Sequence, residues 1–335
     1  MGPVSAAASP DDHRWMGAAL ALAARGRGRT SPNPSVGCVI VRGGAVVGRG
    51  WTQPGGRPHA EAIALAEAGP AAQGATAYVT LEPCAHVSPR GPACADLLAS
   101  HGVARVVTAQ TDPDPRTNGK GLARLAAAGV QAISGIRSVE ARTTMAGFLT
   151  RLALGRPHVT LKLATSLDGC IAKADGESRW ITGPDARAHA HLERSRHETI
   201  LVGRGTWEVD RPALDVRLPG LEDRAPQRVI LSSHDDGGGD AVWLSSPGAI
   251  AQLRGDHVLV EGGAQVASAF LAEDLVDRLL LYRAPILIGD GKHALGAIGL
   301  GALADAHGRW AMIDSRQLGS DRLEVYERVR CSPGS

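Results

Sequence analysis

A chain of 335 residues is long enough for two ordinary domains, and 44% hydrophobic against 21% charged residues is a globular balance that excludes a disordered chain. A formal charge of +2 without a basic run, and only 3% aromatic residues, argue against a nucleic-acid partner, which needs phosphate-pairing cations and stacking surfaces. No apolar stretch reaches the ~18 residues of a membrane span. Five scattered cysteines (Cys38, Cys84, Cys94, Cys170, Cys331) are not a disulfide scaffold, and Met1–Asp12 lacks a signal-peptide profile, so a reduced cytoplasmic protein acting on a small molecule is expected.

In chain order, residues 1–10 read as a disordered tail and Asp11–Arg25 as a helix opened by acidic residues. Val36–Val41 and Ala45–Gly50 flank Gly43-Gly44 as a hairpin. His59–Ala68 is a helix stopped by Gly69-Pro70, Ala75–Leu81 a strand, Cys94–Ser100 a helix, Val103–Ala109 a buried strand and Gly121–Ala128 a further helix. Repeated βα units predict a mixed sheet with helices on its faces. The pattern breaks near Leu149–Pro157, which divides a first domain, 11–150, from a second, 157–330. There Val159–Ala164, Thr199–Val202, Arg228–Leu231, Val258–Val260 and Leu279–Ala284 read as strands, Pro184–Arg196 and Ala264–Phe270 as helices, and Asp235–Asp240 as a flexible surface loop.

Three pieces of the first half fit one hydrolytic zinc site. His59, Cys84 and Cys94 are the ligand types zinc favours, and three protein ligands leave a fourth tetrahedral position open. Glu61, two residues from His59, is placed to carry protons without being a ligand, the His-x-Glu and Pro-Cys arrangement of nucleobase deaminases. Nine residues separate the two cysteines, where that signature has two. Helix N-termini at His59 and Cys94 help to hold thiolates deprotonated. His86 is the candidate for a fourth ligand, which would make the site structural instead. Cys38 and Cys170 read as small core residues, Cys331 as part of a tail, and His189, His191 and His197 as solvated on a charged helix.

In the second half Gly262-Gly263 ends a strand and opens a helix, where free N–H groups can meet a dinucleotide phosphate. No Gly-x-Gly-x-x-Gly fingerprint accompanies it, so a nicotinamide cofactor would be held by another architecture. Asp168 reads equally as a turn cap or a cofactor-side residue. The polar context of Trp180 favours a site wall over packing.

The ordered set Thr30–Gly37, His59-Ala60-Glu61, Val79–Cys84, Leu161–Ala164, Ser166–Gly169, Ser178–Gly183, Asp210–Leu214 and Val260–Gly263 resembles the bifunctional riboflavin-biosynthesis deaminase–reductase family from about residue 11 to 329. The resemblance implies an α/β fold of two domains, a cytidine-deaminase-like α/β/α sandwich followed by a dihydrofolate-reductase-like domain. It implies deamination of a phosphorylated ribosylaminopyrimidinone with Zn²⁺, then reduction of the ribosyl to a ribityl chain with NADPH, in a homo-oligomer (dimer or tetramer) joined through the reductase. Zinc ligands fall on His59, Cys84 and Cys94, and the proton shuttle on Glu61. Cofactor contacts fall on Ala164, Trp180, Thr206, Asp210 and Gly263, Ala264, Gln265 and Val266. Substrate contacts fall on Asn33, Ser178, Arg194, Leu214, Arg217 and Glu261, with Lys162, Asp210 and Glu261 as the reductase's proton-handling residues.

Three departures from the family pattern stand out: a loop between the zinc cysteines one residue longer, with Arg90 as its basic residue; Thr52 in place of a histidine; and Asp112-Pro113-Asp114-Pro115 for the commoner Asp-Pro-Asn-Pro. Two other readings compete, the same architecture acting on a different pyrimidine or purine and a non-catalytic zinc-stabilised scaffold. Intact Glu61, Lys162, Asp210 and Glu261 weigh against the scaffold.

Overall fold

A computed structural model describes residues 9–86, 91–234 and 240–330, apart from the side chain of Asp210. Arg90, the stretch 235–239 and Cys331 lie outside the described residues. The chain divides into two compact units, Met1–Ala153 and Leu154–Ser335.

The first unit opens with α1, Pro10–Ala23. Ser9 Oγ accepts from Asp12 N at 3.2 Å, while the Asp12 carboxylate accepts from Ser9 N at 2.9 Å, a reciprocal cap with Pro10 in the first turn. Ser9 and Pro10, expected in the tail, therefore belong to the helix start. The sheet is built from β1 (Gly37–Arg42), β2 (Ala45–Trp51), β3 (Thr76–Val79), β4 (Arg105–Thr108) and β5 (Gln131–Ile133) in the order β2-β1-β3-β4-β5. β1 runs antiparallel to β2 and β3, and β3, β4 and β5 are parallel. Its helices are α2 (Ala60–Ala68), α3 (Cys94–Ser100), α4 (Lys120–Ala127), α5 (Ser138–Thr144) and α6 (Ala146–Leu154).

Two glycines show how the layers close. Gly50 pairs with Cys38, the neighbour of Gly37, so Gly37 and Gly50 face opposite sides of the sheet. A Cβ on Gly37 would lie 1.9 Å from Ala19 O of α1, and one on Gly50 2.1 Å from Ala60 O of α2. α1 and α2 thus cover opposite faces, each seated directly on glycine backbone. Cys38, Ile40, Val79, Val106 and Leu98 fill the core, as expected of Cys38.

The second unit carries β6 (His158–Thr165), β7 (Cys170–Lys173), α7 (Pro184–Arg194), β8 (Thr199–Gly203), α8 (Arg204–Asp210), β9 (Gln227–Leu231), β10 (Val242–Leu244), β11 (His257–Val260), α9 (Ala264–Ala272), β12 (Arg278–Arg283), β13 (Gly291–His293), β14 (Trp310–Leu318) and β15 (Asp321–Arg328). The large sheet runs β10-β9-β8-β11-β6-β12-β15-β14, parallel through β12 and antiparallel at β15 and β14, with β7 and β13 as a separate pair. Val159, Leu161, Leu201, Val229, Val258 and Val260 are buried on the parallel strands, which therefore read as continuous apolar runs. The β14–β15 hairpin was not legible in the sequence. In β14 half-buried Trp310, Asp314 and Leu318 alternate with exposed residues and charges, which hides a two-residue period.

Candidate active sites

His59 is the residue capping α2, Cys94 is the first residue of α3, and Cys84 follows the turn after β3. His59 Nδ1 lies 3.3 Å from Cys94 Sγ and 3.7 Å from Cys84 Sγ, and the three ligand atoms fall within 4.8 Å of one another. Tetrahedral zinc, at ~2.3 Å from sulfur and ~2.0 Å from nitrogen, sets about 3.6 Å between such ligands. The donors are therefore already spaced for the ion. Cys94 N donates to Cys84 Sγ at 3.3 Å, the help expected of a helix start. Hydrogen bonds from the Cys94 thiol and from His59 pull the Cys84 thiol down, while donation to Cys84, together with burial, pushes Cys94 up.

Glu61, in the first turn of α2, is buried, and burial raises its carboxyl above the ordinary range. It lines a cavity of about 160 Å³ together with His59, Cys84, Asn33, Asp112 and Arg116. Asn33 Nδ2 lies 3.2 Å from His59 Nε2 and donates to Gly56 O at 2.7 Å. Burial, then the nearby charges of Asp114, Glu82 and Cys84, push the Asp112 carboxyl up to about 6, against the lowering bond from Asp114 N. His86 also faces the cavity, but its Nδ1 lies 3.5 Å from Thr117 Oγ1, and it is not among the converging metal ligands. Thr52 is buried, and its hydroxyl accepts from Val36 N at 3.0 Å.

In the second unit, loops leaving the carboxyl ends of β8, β9 and β11 border an open cleft, where parallel sheets bind ligands. Thr206, Gly263, Ala264, Gln265 and Val266 line it, with Arg204, Ser232 and Lys292. Gly263 caps α9, so the free N–H groups of that helix start border the cleft; Val266 packs into the core beneath. At the end of β11, Glu261 accepts from Arg194 Nε at 2.8 Å and Nη2 at 2.9 Å, and lies 3.9 Å from Lys162 Nζ. Burial would raise its carboxyl, but Lys162 and Arg194 outweigh burial and hold it at about 2.

The first unit matches the family model described as "Cytidine and deoxycytidylate deaminase zinc-binding region" over residues 9–110, and the second matches "RibD C-terminal domain" over 157–247 and 247–323. The riboflavin biosynthesis protein RibD of Escherichia coli is 40% identical, covering 88% of this chain and 94% of that protein. The RibD of Mycobacterium tuberculosis is 38% identical, over 92% and 95%. The chain belongs to the RibD family. Solved RibD structures agree: that of Acinetobacter baumannii has a TM-score of 0.84 at 36% identity, covering 95% of this chain and 99% of that one. The Thermotoga maritima "diaminohydroxyphosphoribosylaminopyrimidine deaminase/5-amino-6-(5-phosphoribosylamino)uracil reductase" has 0.83 at 28% identity, with the same coverage.

As a RibD family member the chain is a bifunctional deaminase–reductase of riboflavin biosynthesis with a zinc-binding deaminase domain. The structure also places the other residues singled out in the sequence. The histidines read as solvated are not: His197 is buried between Glu193 O (2.6 Å) and Thr160 Oγ1 (3.0 Å), His189 Nδ1 is 2.7 Å from Tyr282 Oη, and His191 Nδ1 is 3.1 Å from Asp215 O. The charged neighbours of α7 disguised a helix face that packs on the sheet. Leu214 is buried with Ile200, Val202, Ile230 and Leu259, so it can offer a ligand backbone only. Arg194, expected to grip phosphate, spends its fork on Glu261, and exposed Arg217 pairs with Asp215 at 2.9 Å. Ser178 is exposed, and Trp180 is 68% exposed with Arg187 4.7 Å over its ring, so it is not core packing. Asp168 resolves as a cap: it accepts from Ser166 Oγ at 2.5 Å and Gly289 N at 2.7 Å, which lowers its carboxyl to about 2. Half-buried Ala164 sits on β6, and Asp210 ends α8.

Proposed function

We propose that this chain deaminates 2,5-diamino-6-ribosylamino-4(3H)-pyrimidinone 5′-phosphate in its first unit, then reduces the ribosyl group of the product to ribityl in its second. The observation that carries the first step is the spacing of His59, Cys84 and Cys94 beside a buried Glu61. Held by the three ligands, zinc supplies a Lewis acid that makes water acidic near neutral pH. Glu61 takes one proton from the attacking water and gives it to the ring nitrogen, then moves the second proton of that oxygen to the amine, which leaves as ammonia as the carbonyl forms. Asn33 orients His59 and presents its amide to the pyrimidine.

For the second step, the cleft bordered by Thr206 and Gly263–Val266 supports a bound NADPH, whose chemistry is hydride donation. Ala164, Trp180 and Asp210 complete its contacts. Lys162 gives a proton to the sugar ring oxygen as the C1′–O bond opens, and Glu261 holds that ammonium in place. Asp210 assists the proton transfer. Ser178, Leu214 and Arg217 contact the substrate. A homo-oligomer joined through the reductase unit is supported by exposed Met312 and Ile313 on edge strand β14. A cytoplasmic setting is supported by free Cys38, Cys84, Cys94 and Cys170, and no described helix is long and apolar enough to cross a membrane.

Incubating the purified chain with the diaminopyrimidine, with and without NADPH, tests the reading. Ammonia release alone without NADPH, and the ribityl product with it, are expected. Absence of both products from zinc-loaded protein overturns it.

A further inference from the structure

Glu82 immediately precedes the Pro83-Cys84 turn, has no part in the proton transfers above, and is 2% exposed. Four backbone N–H groups converge on its carboxylate. Asp112 N (3.1 Å) and Gly119 N (2.9 Å) donate to Oε2, and Gly121 N (2.8 Å) and Leu122 N (3.1 Å) to Oε1. Glu82 N in turn donates to Gln110 O at 2.8 Å. Every donor comes from the segment that joins β4 to α4 or from the first turn of α4.

That segment is a wall of the deaminase cavity, which Asp112, Asp114 and Arg116 all line. Between β4 and α4 it has no strand or helix of its own to fix it. Its internal order starts from the Glu82 contact: Asp112 Oδ1 accepts from Asp114 N at 2.9 Å, and Asp114 Oδ1 accepts from Arg116 Nε at 3.0 Å. α4 is capped by Gly119, which has no side chain to bond the free N–H groups, and Glu82 takes that role from a distant part of the chain. The helix start is also pressed onto the metal-ligand turn, since a Cβ on Gly121 would lie 2.0 Å from Pro83 O.

We propose that Glu82 is a positioning residue of the deaminase: it fixes the Asp112–Arg116 wall against the turn that carries Cys84, and so sets how tightly the pyrimidine is held. The inference rests on the deaminase reading above. A carboxylate is required because an amide has one acceptor oxygen, and its NH2 would face two N–H donors.

Glu82→Gln is nearly isosteric and breaks half of the latch. The expected result is a KM for the diaminopyrimidine raised about tenfold or more, with kcat within about threefold, zinc still one per chain and reductase turnover unchanged. Asp112→Ala, which removes the oxygen that accepts from Asp114 N, should also raise KM, and the double variant should be no worse than the weaker-binding single, because both act through one wall. Unchanged KM in zinc-loaded Glu82→Gln, a fall in kcat alone, or fully additive effects would overturn the proposal. Should Glu82→Gln not fold, a wild-type KM in Asp112→Ala overturns it equally. Failure of the wild-type chain to deaminate would count against the function itself, not against Glu82.

Discussion

The Arg194 guanidinium and the Glu261 carboxylate meet fork to fork, Nε on Oε1 at 2.8 Å and Nη2 on Oε2 at 2.9 Å, with Lys162 Nζ 3.9 Å from the same carboxylate. The remaining Arg194 donor, Nη1, reaches Asp215 O at 3.0 Å. An arginine so committed holds Glu261 ionised and aimed, because paired charge offsets the cost of burying the carboxylate.

Removing that arginine should therefore alter the acid limb of the reductase. Glu261 is held at about 2, so it stays charged down to strongly acidic pH. In Arg194→Met burial is opposed only by Lys162 and, more weakly, His191, and the carboxyl rises. Reductase kcat/KM should then fall as pH drops, starting from a higher pH than in the wild type, while deaminase rates are unaffected. Arg194→Lys should rescue it only in part, since an ammonium cannot span both oxygens. Superimposable acid limbs in the wild type and Arg194→Met would refute this role.

The zinc site should separate the two activities. Cys84→Ser or Cys94→Ser replaces a soft thiolate with a hydroxyl that binds zinc weakly. Each should lose zinc and deamination together but keep reduction of the supplied uracil intermediate. Glu61→Gln should instead keep one zinc per chain and lose roughly two to four orders of magnitude in deaminase kcat. Metal analysis beside both assays distinguishes these outcomes, and a Glu61→Gln enzyme with wild-type turnover would remove Glu61 from the mechanism.

The seat of α2 couples sheet packing to the metal. Gly50 backbone touches the first turn of the helix that His59 caps and that carries Glu61, so closely that a Cβ there would lie 2.1 Å from Ala60 O. Gly50→Ala must push that turn outward, an overpacking that costs about 1–3 kcal/mol. The displaced His59 should weaken zinc binding and raise its release rate to a chelator. Unchanged zinc release would mean the strand yields in place of the helix.

How far the sequence revealed these sites depends on where each group's partners lie. His59, Glu61, Cys84 and Cys94 were legible because their residue types declare a metal and their helix starts lie beside them in the chain. Parallel strands such as Val258–Val260 were legible as apolar runs. Glu82 was not, because its four partners lie 30 to 40 residues away and are all backbone. His197 was misread for a similar reason: its Thr160 partner is on a strand 37 residues earlier. Edge strand β14 escaped because most of its residues are exposed. A carboxylate directly before a Pro-Cys ligand turn was the one signal that could have pointed to Glu82.

The second unit should carry a pH dependence of its own. Glu198, just before β8, accepts from His257 N at 2.9 Å, and its carboxyl is pushed up to about 7, first by burial and then by neighbouring Asp256. The folded carboxyl thus keeps its proton to higher pH than the unfolded one at 4.5. Its stabilising contribution is complete below about pH 4.5 and is lost as pH rises through about 7, on the order of 3 kcal/mol at most. Glu198→Gln cannot ionise, and its amide oxygen can still accept from His257 N. The urea midpoint for loss of reductase activity should therefore fall more steeply between pH 5 and pH 8 in the wild type than in Glu198→Gln, with the variant the more stable at pH 8. Parallel pH profiles for the two proteins would show that Glu198 ionises in the folded unit as readily as in water.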